Sequence, residues 1–222
     1  MTTIKNIFIT LSFFIFCSVK AFASETMTGI LQAYWQPDWT TNNVNNPELL
    51  LRLLKVDEKG NLKETVNINK TGLNERFIRA HFHATPNEFY KFHEGYVNQA
   101  GILKYDNFVK SGECGGNVAN ANYVDFTPLD VNVKVNSLIG QCDPHPYKLI
   151  YRLKDNIKSI SLKESPNTSS KTIREFNSDY TITKIKTIDS KWFYVANYDE
   201  GQKDDIGENK GYIESDKLAP LN

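Results

Sequence analysis

The sequence predicts an all-β protein made of two small β-barrel domains, and three observations carry that prediction. Tyr, Phe, Val, Ile and Thr are plentiful in the 222 residues, and aromatic residues alone make up 12%. These are the residue types that fit a pleated, half-buried surface. Short apolar runs alternate with period two and stop in clusters of Asn, Gly and Asp, the pattern of strands and turns. No long segment keeps a clean helical period.

The first residues, "MTTIKNIFITLSFFIFCSVKAFAS", precede the folded part. Lys5 starts an apolar core over 7–19, and Ala21-Phe22-Ala23 supplies a small-x-small site. That is the build of a secretory signal peptide, with cleavage expected after Ala23. The apolar run is shorter than the roughly 20 residues a spanning helix needs. Cys17 follows Ile15-Phe16 rather than small residues, so it reads as part of the leader and not as a lipid attachment site. The expected product is exported, periplasmic or secreted. No later segment is apolar enough to span a membrane.

Removal of the leader takes Lys5 and Lys20 and no acidic residue. The 26 basic against 26 acidic residues become 24 against 26, a net charge near −2. That balance gives no overall field for nucleic acid. Two of the three cysteines remain, Cys114 and Cys142. In an oxidising compartment an even pair predicts one disulfide. It would close a loop of about 28 residues, worth on the order of 3 kcal/mol in the chain-entropy account. The alternative, a catalytic Cys114 thiolate, needs a base and a positive setting, and its neighbours are Glu113 and glycines.

Within the first domain, 24–146, residues 27–35 alternate as a first strand, and 37–47 is a turn-rich loop. Leu49, Leu50, Leu53 and Leu54 would suit a helix stripe. The Asp57-Glu58-Lys59-Gly60 turn, with alternation after it, favours a strand over 48–56. Residues 76–84 alternate (Phe77, Ala80, Phe82 against Arg79, His81, His83) and predict a strand. A short helix is expected over 86–95 with Asn87 as its cap. Strands follow at 96–108 and 123–135, with a loop over 112–122. Gly140, Pro144 and Pro146 break the chain before the second domain, 147–222.

Gly95, Val97, Gly101 and Leu103, with a returning strand through "NYVDFTPLDV", resemble the second half of small exported oligonucleotide/oligosaccharide-binding (OB) barrels. Tyr96 stands where that pattern has Lys. The resemblance implies an OB-like first barrel.

In the second domain, Ile160, Leu162 and Pro166 lead into "NTSS". Trp192, Tyr194 and Val195 follow, then Gly211-Tyr212-Ile213 and Leu218. Their order and spacing resemble the bacterial SH3-like domain. Lys163 replaces a common Arg, Asn177-Ser178-Asp179 replaces a Gly, and the 197–210 hairpin is long. The resemblance implies a five- or six-stranded SH3-like barrel that targets cell-wall peptide or glycan (peptidoglycan), or an exported envelope protein. Leu162, Ile173, Ile182, Trp192, Val195 and Ile213 are its expected core. Tyr180, Trp192, Tyr198 and Tyr212 are the candidate ligand groove, because aromatic faces suit sugars and extended peptides. For Trp192 core packing is the competing reading.

His81 and His83, two apart on a strand, would share a face, and with His93 or His145 could approach a zinc site. Spacing and ligand number are incomplete, so no metal is expected. Asp199, Glu200, Asp204, Asp205 and Glu208 lack calcium-loop spacing and read as a solvated hairpin tip. No nucleophile elbow, phosphate loop or dinucleotide fingerprint is present. No catalytic residue and no cofactor are therefore expected. The sequence favours a non-catalytic envelope-binding protein. The alternatives are an inhibitor or immunity protein that blocks a secreted toxin or wall hydrolase, or a hydrolase using Cys114 with His81, His83 or His93.

Overall fold

The computed structural model describes residues 24–38, 43–112, 116–131, 135 and 145–221. The expected leader, Cys114 and Cys142 lie outside the described residues. Among the described residues no helix is long and apolar enough to cross a membrane. The structure is all-β, with two sheets.

The first sheet contains β1 (Glu25–Asp38), β2 (Asn43–Val56), β3 (Leu62–Asn69), β4 (Tyr96–Lys110) and β5 (Val118–Pro128). Its pairings join in a ring, β1-β2-β3-β5-β4 and back to β1, and β3 runs parallel to β5. Two short helices lie between β3 and β4: α1 (Glu75–His81) and α2 (Asn87–Phe92). Leu31, Leu53, Val66, Leu103, Ala119 and Phe126 face inward and are buried, with Ile78 of α1 and Phe89 of α2 packed against them. The five leucines of 49–54 are strand residues, as the turn after them required; Asp57 closes that turn by accepting from the backbone of Asn61 at 2.8 Å.

The second sheet holds seven strands in the order β12-β6-β9-β10-β11-β7-β8. They are β6 (Ile150–Leu153), β7 (Ser159–Lys163), β8 (Thr172–Asn177), β9 (Ile182–Thr187), β10 (Trp192–Tyr198), β11 (Ile206–Glu214) and β12 (Leu218–Pro220). Leu162, Phe176, Ile182, Val195 and Ile213 are its fully buried centre. The Ser/Thr turn between β7 and β8 is closed by its own side chains. Ser165 N–H donates to Ser170 Oγ and Ser169 N–H to Asn167 Oδ1, each at 3.0 Å.

Two glycines singled out in the sequence allow close packing. A Cβ on Gly101 would come within 2.3 Å of the Phe126 ring, and one on Gly211 within 2.7 Å of Leu162. A side chain at either place would push a core residue out of register.

Several expectations need correction. Residues 43–47, expected as loop, begin β2, and the strand expected over 123–135 ends at Pro128. Residues 76–84 are not a strand. Asn74 caps α1 by accepting from Phe77 N–H at 3.2 Å, Glu75 sits in the first turn, and Arg79 and His81 in the last. Charges so placed complement the helix ends. This local cap overrides a five-residue alternation. For α2, Pro86 and not Asn87 occupies the capping position. The loop expected over 112–122 is half strand. Its "VANAN" (118–122) places Ala119 and Ala121 in the core, while Asn67 donates to Asn120 and Asn69 to Asn122 across the parallel pair. Finally, Ile173 is 50% exposed, and Phe176 takes the core position on β8, opposite Ile160.

Candidate functional site

The two sheets meet where α2 ends. His93 adopts a left-handed conformation (φ 48°) and Gly95 follows with φ 75°. Two such residues in three turn the chain sharply, and glycine makes the second one inexpensive. Glu94, between them, is thrown toward the second sheet. Its carboxylate meets Lys184 Nζ at 2.7 Å and accepts from Thr187 N–H at 2.6 Å and Thr187 Oγ1 at 2.8 Å. Both charged side chains are 15% exposed or less. An ion pair so shielded and hydrogen-bonded fixes the geometry of the junction rather than merely decorating it.

Aromatic rings close the junction on both sides of this pair. Tyr147 is buried, 4.5 Å from the Tyr96 ring and 6.3 Å from Tyr34. Tyr34 in turn lies 5.3 Å from the Arg52 guanidinium, which donates to Gln32 at 2.7 Å inside the first sheet. Burial raises the phenols of both Tyr147 and Tyr151 well above their ordinary value. They are therefore neutral hydrogen-bonding groups on apolar rings.

A cleft of about 490 Å³ opens along one side of the junction. The first sheet contributes Trp35, Pro37 and Pro47, the end of α2 contributes Phe92 and His93, and the second sheet contributes Tyr151, Phe193, Leu218 and Pro220, with Tyr147 between. Trp35 and His93 rings lie 4.4 Å apart, and Tyr151 and Phe193 5.7 Å apart. Lys184 Nζ sits 4.8 Å above the Phe193 ring, so the ion pair forms part of the cleft wall. Asp189 and Asp216 stand at the rim with Ser190 and Ser215. Asp189 Oδ1 is occupied, accepting from Lys191 and Trp192 N–H at 2.8 Å. The buried indole N–H of Trp35 has no partner among the described residues. The lining is mixed: aromatic rings and prolines share it about evenly with charged and hydroxyl side chains, a combination that suits a ligand site with both apolar and polar contacts.

On the other side of the junction one end of the acidic hairpin folds back, while its tip over 200–202 stays exposed. Asp204 (φ 58°) and Asp205 (φ 52°) bring their carboxylates 3.9 and 4.0 Å from His145 Nε2. A second cavity of about 250 Å³ lies there, bounded by Tyr96, Tyr147, Lys148 and Asp204. Lys148 Nζ is buried without a hydrogen bond, and burial lowers its pKa.

The residues expected to form a groove are dispersed. Tyr180 stacks on Phe176 at 4.6 Å, with its hydroxyl accepting from Arg174. Trp192 is 6% exposed. Tyr198 donates to Glu200 at the far end of β10. Tyr212 does meet an aromatic neighbour, Tyr194, at 5.0 Å. None of the four is among the residues lining the cleft. His81 and His83 share no strand face: His81 Nδ1 lies 2.9 Å from Phe77 O, and His83 lies 3.0 Å from Asp130. Among the described residues no group of three or more His, Cys, Asp or Glu is arranged to hold a metal ion.

The cleft residues come from six separate stretches of chain, which is why sequence reading passed over them. The nearest signal was "FHEGY", where a charged residue precedes Gly at the end of an aromatic helix. No protein-family model matches this chain, and no curated protein or solved structure matches it significantly.

Proposed function

We propose that this is an exported, non-catalytic binding protein of the bacterial envelope. In this reading an OB-like barrel (24–146) and an SH3-like barrel (147–222) together grip an extended segment of cell-wall peptide in the cleft between them. The observation that carries the reading is the cleft itself. Phe92 and Phe193 present partly exposed rings, backed by the buried rings of Trp35, Tyr147 and Tyr151, and three prolines stiffen the edges. Aromatic faces with little conformational freedom bind extended chains at low entropic cost.

Support for the OB-like reading comes from the ring order of the first sheet, with the helices between β3 and β4. Support for the SH3-like reading comes from the Ser/Thr turn and the Trp192 and Gly211-Tyr212-Ile213 strands, which pair directly. The absence of catalysis accords with how the cleft's charges are used. Glu94 is held by Lys184 and Thr187, and Asp189 Oδ1 by backbone N–H groups. The role assigned to these groups is shaping the cleft.

The test is co-sedimentation of the purified protein with cell-wall sacculi, comparing wild type with Tyr151→Ala and Phe193→Ala. Wild type is expected in the pellet and both variants in the supernatant. Wild type remaining in the supernatant would remove the wall reading.

A further inference from the structure

Phe193 lines the cleft, so its neighbour Tyr194 points to the opposite face of the second sheet, since successive strand residues alternate. On that face four strands place one residue each in a cross-strand row. Lys186 of β9 pairs with Tyr194 of β10, Tyr194 with Tyr212 of β11, and Tyr212 with Lys163 of β7. The two tyrosine rings are 5.0 Å apart and partly exposed. Lys186 Nζ lies 6.0 Å from the Tyr194 ring. Lys163 Nζ is steadied by Ser170 O at 3.2 Å and Thr172 Oγ1 at 3.0 Å. Next to the row, Glu214 pairs with Trp192 in register, and its carboxylate is engaged by Lys191 at 3.1 Å. Lys186, Lys163 and Lys191 stand against two carboxylates on this face, Glu214 and Glu175, the latter accepting from Ser161, so the face keeps a small positive excess although the chain as a whole carries no net charge.

We infer that this row is a second binding site, separate from the cleft, for an acidic polysaccharide. The chemistry matches on each count. Tyrosine rings offer flat faces to the C–H faces of sugars, and a flat sheet suits a polymer rather than a small molecule. Strands lie roughly 4.8 Å apart, so the row spans about 14 Å, the length of a short run of sugar rings. A lysine at each end supplies the countercharge for carboxylates spaced along that run. Two flanking lysines are too few to hold a nucleic acid backbone, which carries a charge at every nucleotide. An acidic peptide would use the lysines but leave the ring pair without a matching planar partner.

Native gels cast with polygalacturonate would test the site, with dextran, polyglutamate and a single-stranded oligonucleotide as comparison probes. Polygalacturonate is expected to retard the protein, less so as salt is raised, while dextran leaves it unretarded. Changing Tyr194→Ala and Tyr212→Ala together should weaken the retardation by about tenfold, the loss expected when aromatic stacking is removed. Lys186→Glu, at an exposed position where folding is undisturbed, should do the same, which keeps the test decisive if the double variant fails to fold. No retardation by polygalacturonate, an unchanged response in folded variants, or tighter binding to polyglutamate or the oligonucleotide would overturn the proposal. Tyr151→Ala, in the cleft, should leave this binding intact, so failure here is distinct from failure of the wall reading.

Discussion

At the scale of single residues, the junction depends on Glu94. Removing it strands the Lys184 ammonium, which is 10% exposed. Glu94→Ala should therefore destabilise the protein by about 3 kcal/mol, the usual cost of breaking a shielded ion pair. Replacing both partners with apolar residues should recover much of that loss. Urea unfolding of the two single variants and the double variant measures it. His145 gives the junction a pH dependence. Burial first, then the charge of Lys148, hold its imidazole below the ordinary 6.5, against the pull of Asp204 and Asp205. Below pH 6.5 the unfolded chain thus takes up a proton that the folded chain resists. This contribution to stability is present above 6.5 and falls as pH drops beneath it. His145→Gln should flatten that part of the stability–pH curve. Asp57 has the same sign at lower pH. The Asn61 backbone N–H draws its carboxyl down from 3.8 to about 2. Asp57→Asn should then destabilise at neutral pH, and the difference should vanish as pH falls through about 2.

At the scale of elements, local chemistry decided what periodicity could not. Helix α1 rests on Asn74, so Asn74→Ala should lower stability by about 1 kcal/mol, measurable by thermal unfolding. The sequence around it carried a cap, Asn74-Glu75, as well as an alternation, and the cap prevailed. The strands expected at 27–35, 48–56 and 96–108 lie within β1, β2 and β4, because their alternation runs long and ends in turns, whereas 43–47, expected as loop, begins β2. The start of β5 was not legible, because asparagine marks loops by composition. Here it forms the outer half of an Ala/Asn alternation along a parallel pair. Ile173 and Phe176 show the same limit. Both are apolar and three apart, and only the pairing of β8 with β7 determines which one enters the core.

At the scale of the whole molecule, the strands fall into two sheets, one on either side of the Pro- and Gly-rich stretch where a boundary was expected. The cleft was not legible in the sequence. It exists only because two left-handed residues aim Glu94 at β9 and because Tyr147 wedges between the sheets. Sequence reading sought the ligand on the second domain alone, and the structure puts the aromatic lining on both sides of the junction. Tyr212 keeps a place in the account on the outer face, beside Tyr194. The two surfaces differ in character: the cleft mixes aromatic rings and prolines with polar groups and carries two aspartates, whereas the outer row is flanked by lysines.

The central claim is that the cleft binds the cell wall. The most direct measurement is the amount of protein that co-sediments with purified sacculi, for wild type, Tyr151→Ala and Tyr194→Ala side by side. The account predicts that wild type and Tyr194→Ala pellet together and that Tyr151→Ala stays in solution. Wild type remaining in solution, or Tyr151→Ala pelleting as well as wild type, would contradict it.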